Sequence, residues 1–303
     1  GATHAACMSS LGFTVIGVDT DPEKVALLQS GKLPFYEPGL DTLLEQEMKT
    51  GRLSFTTDFS AVKDADVHFV CVGTPQVKDG LAADLTYVKS AVAGIAPYLK
   101  DGSLVVGKST VPVGTAQALR AELAKIAPQA DLAWNPEFLR EGFAVEDTLT
   151  PNRLVIGVAN DRAEEILKEV YEPVIALGTP WVRADLPTSE LVKVAANSFL
   201  ATKISFINAM AEVCEAAGGD VGFAQPGLVA GETDLQPTLG IPGARGLERA
   251  ADDGGQGDPR LVLERLWLLL RRVQGVGIHT IAGDIILDNS AFAVPAIDPS
   301  AFD

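Results

Sequence analysis

Cysteine is scarce in this chain, and the three residues present stand far apart. Cys7, Cys71 and Cys214 share no metal-type spacing, so neither a disulfide framework nor a zinc clip is expected to organise the fold. That usage suits a reduced compartment, and the cytoplasm is the expected address. Histidine is as sparse. His4, His68 and His279 have no His or Cys neighbour at ligand spacing; each reads as structural, and no metal is expected. No apolar run reaches the length that spans a bilayer, and the chain does not open with a charged segment followed by an apolar stretch. Neither a membrane span nor a signal peptide is therefore expected. Positive charge is also short: 24 Lys and Arg stand against 40 Asp and Glu, a net charge of -16. Nucleic acid and anionic membranes are poor partners for such a surface, because both are held by clustered cations. A phosphate-bearing ligand would have to be met locally, by backbone amides and a few placed side chains.

What the chain does have is alternation. Short apolar, β-rich runs at 13–18, 67–72, 104–107, 132–134 and 154–158 read as buried strands, being apolar throughout rather than every second residue. Helical patterns at 22–29, 40–50, 85–99, 115–127 and 162–176 lie between and after them. The order predicts the α/β class, with a doubly wound parallel sheet and helices on both faces. A long helix is expected over 187–217, stopped by Gly218-Gly219. The character then shifts, since residues 222–303 contain no lysine and six arginines. Residues 222–258 are rich in Gly, Pro and Asp and read as irregular; one amphipathic helix at 261–272 and one strand-like run at 280–287 follow. The expected organisation is a dinucleotide-binding domain over 1–185, the long helix to 221, and a tail of unrelated character over 222–303.

The first residues, GATHAACMSSLGFTVIGVDTD, read as helix, turn, strand and acid. In a Rossmann-like unit a glycine-rich turn feeds a helix whose N-terminus receives a pyrophosphate, and an acid about 20 residues on takes the ribose hydroxyls. Gly1 would be the last glycine of that turn and Asp19 the acid, with Lys24 nearby, an arrangement that favours NAD over its 2′-phosphorylated form. A sheet lacking its first strand is the corresponding expectation. Asp19 has a plainer reading too, as a solvated turn residue.

Three loops follow strands and carry polar groups: Val72-Gly73-Thr74-Pro75, Lys108-Ser109-Thr110-Val111-Pro112-Val113-Gly114-Thr115, and Asn135-Pro136-Glu137-Phe138-Leu139-Arg140-Glu141-Gly142. Each alone reads as a turn, and Thr115 reads as a helix cap. Together they gather hydroxyls and two carboxylates at one sheet edge, where ligands of such folds bind, and burial of a Glu there would suit it to acid or base work. On the long helix, Lys193 and Asn197 lie four apart on one face; an ammonium among apolar neighbours can steady an oxyanion, whereas most such lysines are solvated. Ser60-Ala61-Val62-Lys63 and Lys49-Thr50-Gly51 imitate the motifs of penicillin-recognising enzymes in reversed order, and read as chance matches.

These loops, with Tyr36-Glu37-Pro38-Gly39-Leu40 and the run from Ala196 to Asn208, resemble the UDP-glucose 6-dehydrogenase family over residues 1 to about 221. The resemblance implies an enzyme that oxidises a nucleotide sugar twice at C6 with two NAD. It implies that Gly1, Asp19, Lys24, Thr74, Thr110 and Glu141 line the NAD site. Glu137, Phe138, Leu139, Lys193 and Asn197 would meet the sugar nucleotide; Glu137 would be an acid or base, Lys193 and Asn197 would support developing negative charge, and Thr110 would assist. It also implies a homodimer through the long helix. Two departures are expected to leave the activity incomplete or absent: the family's first strand and glycine turn would precede Gly1, and none of the three cysteines lies in the family's G-G-x-C-x-P-K-D segment. Residues from about 257 to 303 instead resemble a short piece of penicillin-binding D-alanyl-D-alanine carboxypeptidases, without a catalytic serine. A non-catalytic remnant or chimeric fusion, with at most weak nucleotide binding, is the alternative.

Overall fold

The structure, a computed structural model, describes residues 1–78, 80, 82–216 and 218. Its helices are α1 (Ala2–Ser10), α2 (Pro22–Gln29), α3 (Leu40–Lys49), α4 (Thr86–Ile95), α5 (Thr115–Ile126), α6 (Ala144–Leu149), α7 (Asp161–Val170), α8 (Glu172–Ile175) and α9 (Leu186–Ala216). Its strands are β1 (Val15–Val18), β2 (Leu53–Thr56), β3 (Val67–Val70), β4 (Leu104–Gly107), β5 (Asp131–Trp134), β6 (Leu154–Gly157) and β7 (Trp181–Ala184). The tail expected over 222–303, with its helix at 261–272 and strand-like run at 280–287, lies outside the described residues.

The expected parallel sheet lacking its first strand is present, and the expectation is corrected at one ladder. β1 and β2 pair with each other, while β3 to β7 form a second sheet in sequential order. Helix α1 crosses both: Ala6 packs with Leu40, Leu44 and Leu53 on one side, and Met8 with Leu104, Val106 and Ile156 on the other. All ladders are parallel except β5 to β6, which is antiparallel and rests on the one pair Trp134 and Gly157. The connection through α6 returns the chain to the sheet at the end where it left.

Apolar patterning located the central strands because they are buried on both faces: β4 and β6 are buried at every position. β2, β7 and α6 carry no such signal. β7 is an edge strand with two exposed residues, so its sequence WVRA need not be apolar. Prolines shorten two expected helices. The 85–99 pattern gives α4 and then a 3₁₀ turn at Ala96–Tyr98 around Pro97, and the 162–176 pattern breaks at Tyr171, after which Pro173 opens α8. Ser60 of the chance serine motif donates to Asp58 Oδ2 at 2.7 Å. Among the described residues no helix is long and apolar enough to cross a membrane.

Glycines at the ends of β4 and β6 permit close approach. A Cβ on Gly107, at the end of β4, would lie 2.1 Å from the Trp134 ring, and one on Gly157, at the end of β6, would lie 2.1 Å from Ser189 Oγ in α9. Ser189 is fully buried, so it cannot swing away. Gly157→Ala is therefore expected to push the first turn of α9 off the sheet and cost about 1–3 kcal/mol of stability, read by urea denaturation.

His4 and His68 are buried with Nε2 unpaired. Burial pushes His68 down to about 4 and His4 well below its ordinary value, where Lys108 adds to the effect. Both imidazoles stay neutral in the folded chain, while the unfolded chain takes up protons near pH 6.5. The stability that this provides is full above about pH 6.5 and is lost as pH falls toward 4. Denaturation midpoints should drop between pH 7 and 5, and less steeply in His68→Gln.

Candidate functional site

The chain leaves β3, β4 and β5 at the same sheet edge, because these strands are parallel neighbours. Ser109 Oγ donates to the Val72 carbonyl and Thr74 Oγ1 to the Thr110 carbonyl, both at 2.6 Å. These bonds tie the loop after β3 to the loop after β4. Trp134 Nε1 donates to the Ser109 carbonyl at 3.2 Å, and Lys108 Nζ donates to Asn135 Oδ1 at 2.9 Å, which adds the loop after β5. Asn135 is 2% exposed. Its Oδ1 also accepts from the Tyr171 hydroxyl at 2.6 Å, and its Nδ2 donates to the Val155 carbonyl at 3.0 Å. Burial lowers Lys108 and raises Tyr171 relative to their ordinary values.

From that anchor the β5 loop turns toward α9. Glu137 Oε2 accepts the Leu139 amide at 2.7 Å, which fixes the carboxylate, and Oε1 faces Lys193 Nζ at 3.3 Å. The Lys193 side chain is only 8% exposed, so its ammonium depends on this carboxylate and on the Phe138 ring, whose centroid lies 5.2 Å away. Arg153 sits 4.7 Å from the same ring centroid. Since β6 runs antiparallel to β5, its first residues rather than its last reach this edge, and Arg153 precedes them.

Of the expected site residues, Glu137, Phe138 and Lys193 therefore meet, and the Leu139 amide holds Glu137. Thr74 and Thr110 meet through the Thr110 carbonyl. Asp19 follows β1; its Oδ2 takes Lys24 Nζ at 2.9 Å and its Oδ1 the Asp21 amide at 3.1 Å. Gly1 precedes α1 and lies against Cys71, where an added Cβ would be 3.6 Å from the Cys71 carbonyl oxygen. Glu141 and Asn197 are exposed to solvent. Cys7 is buried, and burial pushes its thiol up to about 12, so it is no nucleophile near neutral pH.

Glu37, Arg153 and Glu190 went unassigned in the sequence. Glu37 is buried and accepts the Gly142 amide at 3.1 Å and the Ala144 amide at 2.8 Å, holding the far end of the β5 loop from more than a hundred residues away. No spacing rule links such partners. The one available signal was Glu37's place in the Tyr36 to Leu40 motif.

Two family models match this chain. The NAD binding domain of the UDP-glucose/GDP-mannose dehydrogenase family matches residues 1–175, and the central domain of the same family matches residues 187–233. The chain belongs to this family. The UDP-glucose 6-dehydrogenase of Rhizobium meliloti is 44% identical over 226 residues, 73% of this chain and 52% of that protein. That of Bacillus subtilis is 41% identical over 232 residues, 75% of this chain and 50% of that protein. This family member thus spans about half the length of the curated relatives it matches. Among solved structures, a UDP-glucose dehydrogenase from Pyrobaculum islandicum superposes with a TM-score of 0.71 at 39% identity, covering 75% of this chain and 54% of that one.

The cofactor of the matched N-terminal domain is NAD, and the residues present fit it. α1 begins at Gly1 with no side-chain cap and no acid in its first turn, so its leading amides and the positive end of its dipole are free for a phosphate. Asp19 follows β1, the place where such folds put an acid for ribose, and its oxygens accept from the Asp21 amide and Lys24 Nζ. Glu37→Ala is expected to leave the Gly142 and Ala144 amides unpaired and to cost about 1–3 kcal/mol, measured as a fall in the denaturation midpoint.

Proposed function

We propose that the chain binds NAD and a nucleotide sugar, of the UDP-glucose kind, and oxidises the sugar's primary alcohol. The observation that carries this reading is the 3.3 Å approach of Glu137 to a buried Lys193, made where a loop from the sheet edge meets a helix. NAD, when bound, supplies the acceptor for the hydride that leaves the alcohol carbon. The hydroxyl proton must leave with it. Lys193 favours that loss, because a desolvated ammonium stabilises a developing alkoxide far better than water does. Glu137, held by the Leu139 amide, keeps that ammonium in place and offers a carboxylate for proton transfer. Asn197, one turn beyond Lys193 on the same face of α9, is proposed to donate to the oxyanion.

Gly1, Asp19, Lys24, Thr74, Thr110 and Glu141 are proposed to line the NAD site, with Asp19 accepting from the ribose. Phe138 and Leu139 are proposed to line the sugar nucleotide beside Glu137. The partner reading is a second copy of the chain through α9, supported by the exposed apolar residues Leu191, Phe199, Leu200, Ile204 and Phe206 on that helix. A cytoplasmic address is the accompanying reading.

Ligand linkage tests the first half. NAD should raise the melting temperature, by an amount that grows with its concentration, and Asp19→Ala should remove most of that rise. A wild-type chain with no rise at millimolar NAD would defeat the reading. Formation of NADH on adding UDP-glucose, followed at 340 nm, tests the second half. Lys193→Met should slow it by roughly 10²–10³-fold while leaving the NAD-induced rise in place.

A further inference from the structure

Helix α5 begins without a cap of its own. Its N-cap is Gly114, in the left-handed region at φ 95°, with no side chain to accept the first amides, whereas helices of this kind ordinarily place Ser, Thr, Asp or Asn there. The cap comes from α9. Glu190 Oε2 accepts the Gly114 amide at 2.7 Å and Oε1 accepts the Ala116 amide at 2.6 Å, from 76 and 74 residues away. Glu190 is 1% exposed. A carboxylate that deep must be paired, and the positive end of α5 together with the two amides meets the need. Because both oxygens are engaged, the carboxylate is fixed in orientation as well as in position.

That fixed point lies between two others on α9. Ser189, the residue before it, is seated against Gly157 of β6. Lys193, three residues after it, lies on the same side of the helix and about 4.5 Å further along the axis. The loop that leads into the capped end of α5 is the one that carries Thr110 and bonds the loop of Thr74.

We propose that Glu190 is a positioning residue of the site: its doubly bonded carboxylate sets the register of α9 against the N-terminus of α5, and so the place of Lys193 relative to Glu137 and to the Thr110 loop. The inference rests on the reading of Lys193 given above. Glu190 does not touch the reacting groups; it acts through the helix that bears one of them.

The test needs a readout that loss of stability alone would leave unchanged. In the full chain grown with ¹³C-lysine, the Cε signal of Lys193 is identified by its loss in Lys193→Arg and followed well below the melting temperature. Glu190→Gln keeps the shape but turns an amide group toward one of the two backbone N–H groups, and Glu190→Asp keeps the charge but withdraws it by one methylene. Asp58→Ala serves as a control, since Asp58 caps the turn Phe59–Asp64 through the Ser60 amide at 2.8 Å and touches neither α9 nor the Glu137 loop. The Lys193 signal is expected to move in Glu190→Gln, and in Glu190→Asp should the Gln variant fail to fold, and to stay in place in Asp58→Ala although that variant also melts earlier. An unmoved signal in the folded Glu190 variants, or an equal displacement in Asp58→Ala, would overturn the proposal. Absence of NADH formation by the wild-type chain would defeat the functional reading instead, and would leave the Lys193 comparison standing.

Discussion

The β5–β6 junction is held by a side chain where a ladder is lacking. These strands meet antiparallel at the single pair Trp134 and Gly157, and the next contact across the junction is Asn135 Nδ2 on the Val155 carbonyl. The same residue takes Lys108 and Tyr171 on its carbonyl oxygen, while its backbone amide donates to the Gly107 carbonyl at 2.8 Å. A buried amide in water-poor surroundings is stable only with its partners satisfied, so β4, β5, β6 and the end of α7 are held to one geometry at the point from which the β5 loop departs. The placement of Glu137 follows from that anchor.

Around it, distant carboxylates close the loops. Glu37 holds the Gly142 and Ala144 amides, and Glu190 holds those of Gly114 and Ala116. Each pins the entry of a helix that follows a site loop, and each sits on an element remote in sequence. The arrangement lets the loops themselves keep Gly, Pro and hydroxyl residues that a self-capped helix start would displace. It also makes the geometry of the site a property of the whole domain, since α3's preceding loop and α9 must both be in place before the loops after β4 and β5 are fixed.

The charge pattern is consistent with this economy of cations. A chain with a net charge of -16 places Lys193 beside one carboxylate and one ring, and Lys108 under the same edge, while Lys24 and Asp19 satisfy each other at the end of β1. Few positive groups are present at the edge, and desolvation strengthens the field of those that are.

Runs apolar throughout located β1, β3, β4, β5 and β6, although only β4 and β6 are buried at every position and β1, expected buried, has no fully buried residue; helical spacing with glycine and proline punctuation located most helices, because backbone stereochemistry acts over a few residues and is written locally. The ordered polar motifs around Thr74, Thr110, Glu137 and Lys193 carried the family as well. β2, β7 and α6 were not legible, since none of them is apolar throughout: β2 alternates Leu53 and Phe55 with Ser54 and Thr56, and β7 is an edge strand. The antiparallel turn of β6, the arrival of Arg153 beside Phe138, and the capping of α5 by Glu190 were decided only by tertiary structure, since each depends on partners between 15 and 76 residues apart, whose meeting is set by the packing of the whole domain and by which buried amides would otherwise go unpaired.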